Sequence, residues 1–164
     1  MICRLSSALI GVVLAGPAVA LSCLPWGATD AYLEAAASKS NFVVVDGQLT
    51  FDDSLLPTTD WENQQHTPEQ SRIPARIQGQ SLSRAGYLTP FASDITLEVL
   101  CYGPWCAGAT DGARYVMFLE QRPGGYVLQV NPCGGFAFDA GKGEAAKQVL
   151  QCHQGGRCAP RAGN

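Results

Sequence analysis

Cysteines are the residues of this chain with the clearest chemistry. Cys3 lies in an apolar N-terminal stretch, and the other six are Cys23, Cys101, Cys106, Cys133, Cys152 and Cys158. An even number of cysteines in an exported chain is typical of a disulfide framework, although spacing alone does not fix the pairing. Tight loops around Gly-Pro and Gly-Gly favour Cys101–Cys106 and Cys152–Cys158, which by elimination leaves Cys23 with Cys133.

Zinc is the alternative use of these cysteines. Structural zinc sites pair Cys or His ligands at about two to four intervening residues. Cys101 and Cys106 lie at the edge of that range, and the adjacent Cys152 and His153 suit tetrahedral geometry poorly. Oxidation after export would also compete for the thiolates. We therefore expect disulfides and no metal site.

No other residues form a recognisable catalytic set. The two histidines, His66 and His153, have no motif around them and are interpreted as surface residues. The strings typical of hydrolase nucleophiles, zinc proteases and phosphate-binding loops do not occur. Acids between residues 52 and 71 could gather Ca²⁺, but their spacing is not that of an EF-hand. The sequence predicts no catalytic residue and no cofactor.

The N-terminus predicts export. After the basic Arg4, residues 5–20 are apolar, carry no charge and end in Ala18-Val19-Ala20, so 1–20 resembles a secretory signal peptide. The stretch is too short to span a bilayer, and no transmembrane segment is expected. We expect a protein of the periplasm or the extracellular space. A loose lipobox that ends at Cys23 leaves lipid anchoring open as an alternative.

Composition excludes several classes of protein. With 46% hydrophobic and 15% charged residues, the chain has ample material for one core, which we place in a single domain, 21–164. Its 11 basic residues are scattered and form no run that could neutralise successive phosphates. Nucleic acid is therefore not an expected partner.

Local patterns predict the elements that position these residues. A helix, capped by Thr29 or Asp30, is expected at 31–40, and a β-branched strand follows at 41–51, with Gly47 as a bulge or bend. Further strands and a closing helix are predicted at 76–82, 95–100, 114–121, 126–130 and 144–152. The intervening 52–71 has five acids, no base and two prolines, which indicates a long exposed loop. The fold class is mainly β, a small five-stranded barrel with a helix at each end.

The order of elements and cysteines resembles the netrin-like domain, the OB-type barrel shared by netrin modules and tissue inhibitors of metalloproteinases. Cys23-Leu24-Pro25 is similar to the family's Cys-x-Pro start, and 52–71 corresponds to its protruding connection between strands A and B. Cys106 and Cys133 also follow strands as cysteines do in the family, and the last helix, which ends in Cys152, has a counterpart there. The resemblance covers about residues 23–158.

The N-terminus departs from the inhibitors in two ways. Their mature chain begins at a cysteine whose free amine chelates the protease zinc, whereas cleavage after Ala20 leaves Leu21-Ser22 ahead of Cys23. Their second N-terminal cysteine is replaced here by Pro25. The resemblance therefore implies a binding module more directly than a zinc-chelating inhibitor.

The sequence predicts a non-enzymatic exported binding module with an unidentified protein partner. A protease is the narrower candidate for that partner. The expected contact residues are Cys23, Leu24, Pro25, Asp60, Trp61 and Glu62. The alternatives are a small exported enzyme or thiol-redox protein, and a structural envelope lipoprotein anchored through Cys23. The sequence leaves the partner's identity and the oligomeric state open.

Overall fold

The computed structural model describes residues 21–160, so the predicted signal peptide lies outside the described part of the chain. The fold is mainly β with two helices, as predicted. The helices are α1 (Ala28–Ala37) and α2 (Glu144–His153). The strands are β1 (Phe42–Phe51), β2 (Gln70–Ser83), β3 (Gly86–Tyr102), β4 (Trp105–Cys106), β5 (Arg114–Arg122), β6 (Gly125–Asn131), β7 (Gly134–Gly135) and β8 (Ala137–Asp139).

Five strands pair in a closed ring. The order is β1, β2, β3, β6, β5 and back to β1, and every neighbouring pair is antiparallel except β3 and β6. The parallel pair joins 95–99 to 126–130. The ring is uneven, because β3 has 17 residues whereas β5 and β6 share only three residue pairs. The first part of β5 pairs with β8 instead.

Two apolar clusters hold the fold together. The first fills the ring, where alternate residues of the strands point inward, among them Val45, Leu49, Leu97, Met117 and Leu128. The second lies between the outer face of the ring and the two helices and includes Ala31, Val116, Phe118 and Val149. Strand β5 is covered on both faces, which explains why its sequence is a continuous apolar run rather than an alternation.

The first helix begins earlier than the sequence predicts. Gly27 is the N-cap of α1, and the Asp30 carboxylate accepts a hydrogen bond from the Gly27 backbone N–H at 2.9 Å. Asp30 therefore lies inside the first turn rather than before it, and it makes the one side-chain bond of a capping box that a glycine N-cap allows. The helix ends at Ala37, not at residue 40.

The strands on either side of the first hairpin are longer than predicted. β2 begins at Gln70, where it pairs with the end of the apolar stretch 95–100, and β3 begins at Gly86, because residues 86–94 continue the ladder with 76–83 of β2. The exposed loop consequently ends at residue 69 and contains two short 3₁₀ turns, Asp53–Leu55 and Gln64–His66. Gly47 is not a bulge, since it pairs in register with Gly79 on β2 and Tyr115 on β5.

Three disulfides link the described residues, namely Cys23–Cys133, Cys101–Cys106 and Cys152–Cys158. These are the pairs that the cysteine spacing favours. Among residues 21–160, no helix has the length and apolar content needed to cross a bilayer.

Candidate binding groove

The N-terminal segment is held against one end of the ring. The Cys23–Cys133 disulfide attaches it to the turn between β6 and β7, where the Cys133 backbone N–H donates to the Asn131 side-chain oxygen at 2.9 Å. The indole N–H of Trp26 donates to the Gly135 carbonyl at 2.8 Å. Residues 21–26 are therefore anchored at two points, and Leu24 remains 87% exposed between them.

The hairpin of β3 and β4 is the second of three segments that meet at this end of the ring. Cys101 pairs with Cys106 both in the ladder and through a disulfide, and Gly103 turns the chain with φ near +60°. Pro104 is buried at this turn. Its carbonyl accepts a hydrogen bond of 2.6 Å from the Thr59 hydroxyl, which ties the acidic loop to the hairpin.

The acidic loop, defined as residues 52–69, is organised by its own carboxylates. Asp60 accepts hydrogen bonds from the backbone N–H groups of Glu62 and Asn63, each at 3.0 Å, and from the Asn63 side chain at 3.2 Å. These bonds, led by the backbone N–H of Asn63, lower the pKa of Asp60 below its usual value. The resulting turn presents Trp61, whose side chain is 62% exposed.

These three segments and the β6–β7 turn border one open groove of about 790 Å³, which we call the terminal groove. Most of its lining residues are apolar, including three prolines and two tryptophans, although polar groups contribute nearly half of the exposed lining surface. The lining residues are Leu21, Leu56, Pro57, Thr59, Trp61, Pro104, Trp105, Cys106, Ala107, Gly108, Asn131, Pro132 and Gly134. They include no Asp, Glu, His, Lys or Arg, so the groove offers apolar contact and hydrogen bonding rather than proton transfer.

The contact residues expected from the sequence are distributed unequally around this groove. Trp61 lines it, while Asp60 shapes the turn behind Trp61 and Glu62 stands exposed beside it. Cys23 supplies the anchoring disulfide. Leu24 and Pro25 are exposed next to the groove but are not among its lining residues.

Several lining residues were not anticipated. Leu21, Leu56, Pro104 and Pro132 reach the groove only because distant segments meet there. Trp105, which precedes Cys106 in the chain, also forms part of the groove. Proline and tryptophan recur beside the cysteines of this sequence. That pattern could have indicated Pro104, Trp105 and Pro132 as lining residues.

The other chemical candidates lie elsewhere. His66 is exposed in the acidic loop, as expected, whereas His153 is half-buried and its Nδ1 lies 3.3 Å from the Tyr32 hydroxyl. His153 thus packs between the helices instead of on the surface. Nowhere in 21–160 do three His, Cys, Asp or Glu side chains gather closely enough to hold a metal ion.

Comparisons of the chain with protein families, with curated proteins and with solved structures gave no match.

Proposed function

We propose that this chain is an exported, non-enzymatic binding protein that docks a protein partner in the terminal groove. The observation that carries the proposal is the convergence of three separately anchored segments on one open apolar groove, with Trp61 exposed at its rim. Exposed aromatic side chains beside an apolar pocket are characteristic anchors of protein interfaces.

The strand pairing supports an OB-like, netrin-like barrel as the scaffold. The ring of five long strands closes through one parallel pair, β3 with β6, and through antiparallel pairs elsewhere. This closure supports a comparison with the small five-stranded, partly open Greek-key barrel of OB-type domains. The disulfide from the N-terminal segment to Cys133 and the helix that ends beside Cys152 agree with the netrin-like order of elements.

Export is supported by the signal-like residues 1–20 and by the pairing of all six cysteines between 21 and 160, which is typical of proteins in an oxidising compartment. The disulfide of Cys23 also bears on lipid anchoring. A sulfur bonded to Cys133 has no free valence for an acyl-bearing thioether, which favours the unanchored form. The thiol-redox alternative would need one of these disulfides to be readily reduced to a reactive thiol.

Protease inhibition is the narrower form of this proposal. Inhibition by zinc chelation would need the mature chain to begin at a free Cys23 amine. The predicted cleavage after Ala20 leaves Leu21 and Ser22 ahead of Cys23, and that amine would then be absent. We therefore propose docking through the groove surface, with protease as one class of partner to be tested. Mass spectrometry of the exported protein gives the N-terminal residue directly.

The test is site-specific photo-cross-linking in the native host. Trp61 is replaced by p-benzoylphenylalanine, and the matched control carries the same replacement at Leu88, an equally exposed apolar residue near the β2–β3 turn. We expect a discrete cross-linked protein at position 61 and none at position 88. The Trp61→Ala variant should weaken binding of that partner about 30-fold or more, as loss of an interface anchor does.

Equal cross-linking at positions 61 and 88, or none at either, would contradict the proposed function. The two positions share exposure and hydrophobicity, so non-specific adsorption would give adducts at both. Only a partner that binds in the groove would give an adduct at position 61 and none at position 88.

A further inference from the structure

The charges around the terminal groove all have one sign. Its walls belong to segments 21–25, 52–69, 103–110 and 131–135, which together contain five of the 14 acidic residues of the chain and none of its 11 basic residues. The five acids are Asp52, Asp53, Asp60, Glu62 and Glu69. A partner that enters the groove therefore meets mostly apolar lining residues, and the loop that supplies one wall carries net negative charge, which we call the rim.

Part of this negative charge is uncompensated. Asp52 and Asp60 are engaged in hydrogen bonds within the loop. The carboxylates of Asp53, Glu62 and Glu69, in contrast, have no hydrogen bond or ion pair with any residue of 21–160, and all three residues are exposed. They are free to interact with an incoming cation.

Two arginines outside the groove are already paired with other carboxylates. Arg72, which follows the acidic loop, contacts Glu98 at 3.1 Å, and Arg114 contacts Asp46 at 2.7 Å. Neither guanidinium forms an ion pair with a carboxylate of the acidic loop. Fields of one sign beside an apolar surface accelerate and select binding of partners with the opposite charge.

The floor of the groove suits a basic partner as well. Trp61 and Trp105 line it. Indole faces attract the charged groups of Lys and Arg through cation–π interactions, and they also pack against aliphatic side chains. The groove is open along its length and bounded by prolines, so it can accept an extended segment. A bound metal ion does not account for the acids, because no three candidate ligands cluster within the described residues.

We infer that the segment of the partner protein that occupies the terminal groove is cationic, with an apolar side chain against Trp61 and Trp105 and Lys or Arg side chains toward Glu62 and Glu69. This inference rests on the proposed function and specifies the chemistry of its partner. The uncompensated negative charge of the rim is the observation that favours a basic partner segment over a neutral or acidic one.

The experiment uses two labelled peptides with the mature protein. One is a short extended peptide of Leu, Pro and Lys, and the other has Glu in place of every Lys. We expect the lysine peptide to bind at least about tenfold more tightly at low salt, and its affinity to fall as salt screens the rim. Fluorescence anisotropy measures both affinities and their salt dependence.

Charge variants locate the effect. Glu62→Gln with Glu69→Gln should weaken binding of the lysine peptide several-fold and reduce its salt dependence. Glu34→Gln with Glu144→Gln removes the same charge from exposed residues of the two helices and should leave binding unchanged. Both pairs replace exposed side chains, so circular dichroism should report the same fold for each.

Equal binding of the two peptides, binding of neither, or equal losses in the two pairs of variants would overturn the inference. These failures are separable from failure of the proposed function. A discrete adduct at position 61 together with a negative peptide result leaves the groove as a docking site for a partner that is not basic. Absence of that adduct removes the docking site itself.

Discussion

Glu98 is a buried carboxylate on the outer face of the ring, where β3 meets β2 and β6. Its side chain is 2% exposed, the only charged one buried within residues 21–160. Gln129 donates to one oxygen at 2.9 Å, and Arg72 and Arg122 contact the other at 3.1 Å. Burial raises the pKa of Glu98, but the Gln129 amide and the guanidinium groups outweigh it, so the pKa lies below its usual value.

Removal of this carboxylate should destabilise the protein. We expect Glu98→Ala to lower the free energy of unfolding by about 1–3 kcal/mol, because it breaks a buried pair whose cationic partners are partly exposed. Asp94→Ala is the matched control on the same strand. Its ion pair with Arg76 is exposed on both sides and should contribute about 0–1 kcal/mol. Urea unfolding with the disulfides intact measures both changes.

The same group gives a pH dependence of known sign. A carboxyl whose pKa is lowered by folding contributes stability above its unfolded-state pKa, and this contribution is lost as the pH falls through the folded-state pKa. Wild-type protein should therefore lose more stability than Glu98→Gln below about pH 4.5. Parallel acid titrations of the two proteins would contradict the assignment.

At the scale of elements, β1 and β2 approach closely where two glycines face each other. A Cβ on Gly47 would lie 2.6 Å from the Gln78 carbonyl oxygen and 2.9 Å from the Gly79 Cα. Both neighbours are backbone atoms of a paired strand and cannot move aside. The two glycines thus set the strand separation at the centre of the ladder.

Gly47→Ala should therefore lower the free energy of unfolding by about 1–3 kcal/mol or more, as overpacking of a close-packed site does. Gly108→Ala is the control, since a Cβ there meets nothing within 4 Å and its backbone needs no positive φ. Thermal unfolding of the two variants makes the comparison. Equal melting temperatures would mean that the strands can separate without cost.

Local sequence pattern predicts the elements but not how they meet. The β-branched run predicted β1, and the spacing of apolar residues predicted α2, each to within a few residues. Both predictions succeeded because the pattern of apolar residues indicates which side of each element is buried. Residues 86–94 were missed, because their mixed composition has no clear strand periodicity and they gain their strand conformation from pairing with β2. Likewise Trp61 was apparent in its polar loop, whereas Leu21 and Pro132 join it only through tertiary closure.

At the scale of the whole molecule, the Cys23–Cys133 disulfide spans 110 residues and so constrains the unfolded chain more than the short Cys101–Cys106 loop, which spans five. Replacement of Cys23 and Cys133 by serine should cost up to about 4–5 kcal/mol, against about 2 kcal/mol for the short loop, in the chain-entropy view. Chemical denaturation of the two double variants measures the difference. A larger loss from the short loop would contradict it.

The parallel pairing of β3 with β6 also affects the order in which the strands of the ring can pair during folding. During synthesis, β1, β2 and β3 emerge first and can pair as a meander, but such a sheet has two unpaired edges, which are prone to join other chains. Both edges are covered only when the β5–β6 hairpin inserts between them. Arrival of residues 114–131 therefore sets how long a growing chain remains vulnerable to aggregation.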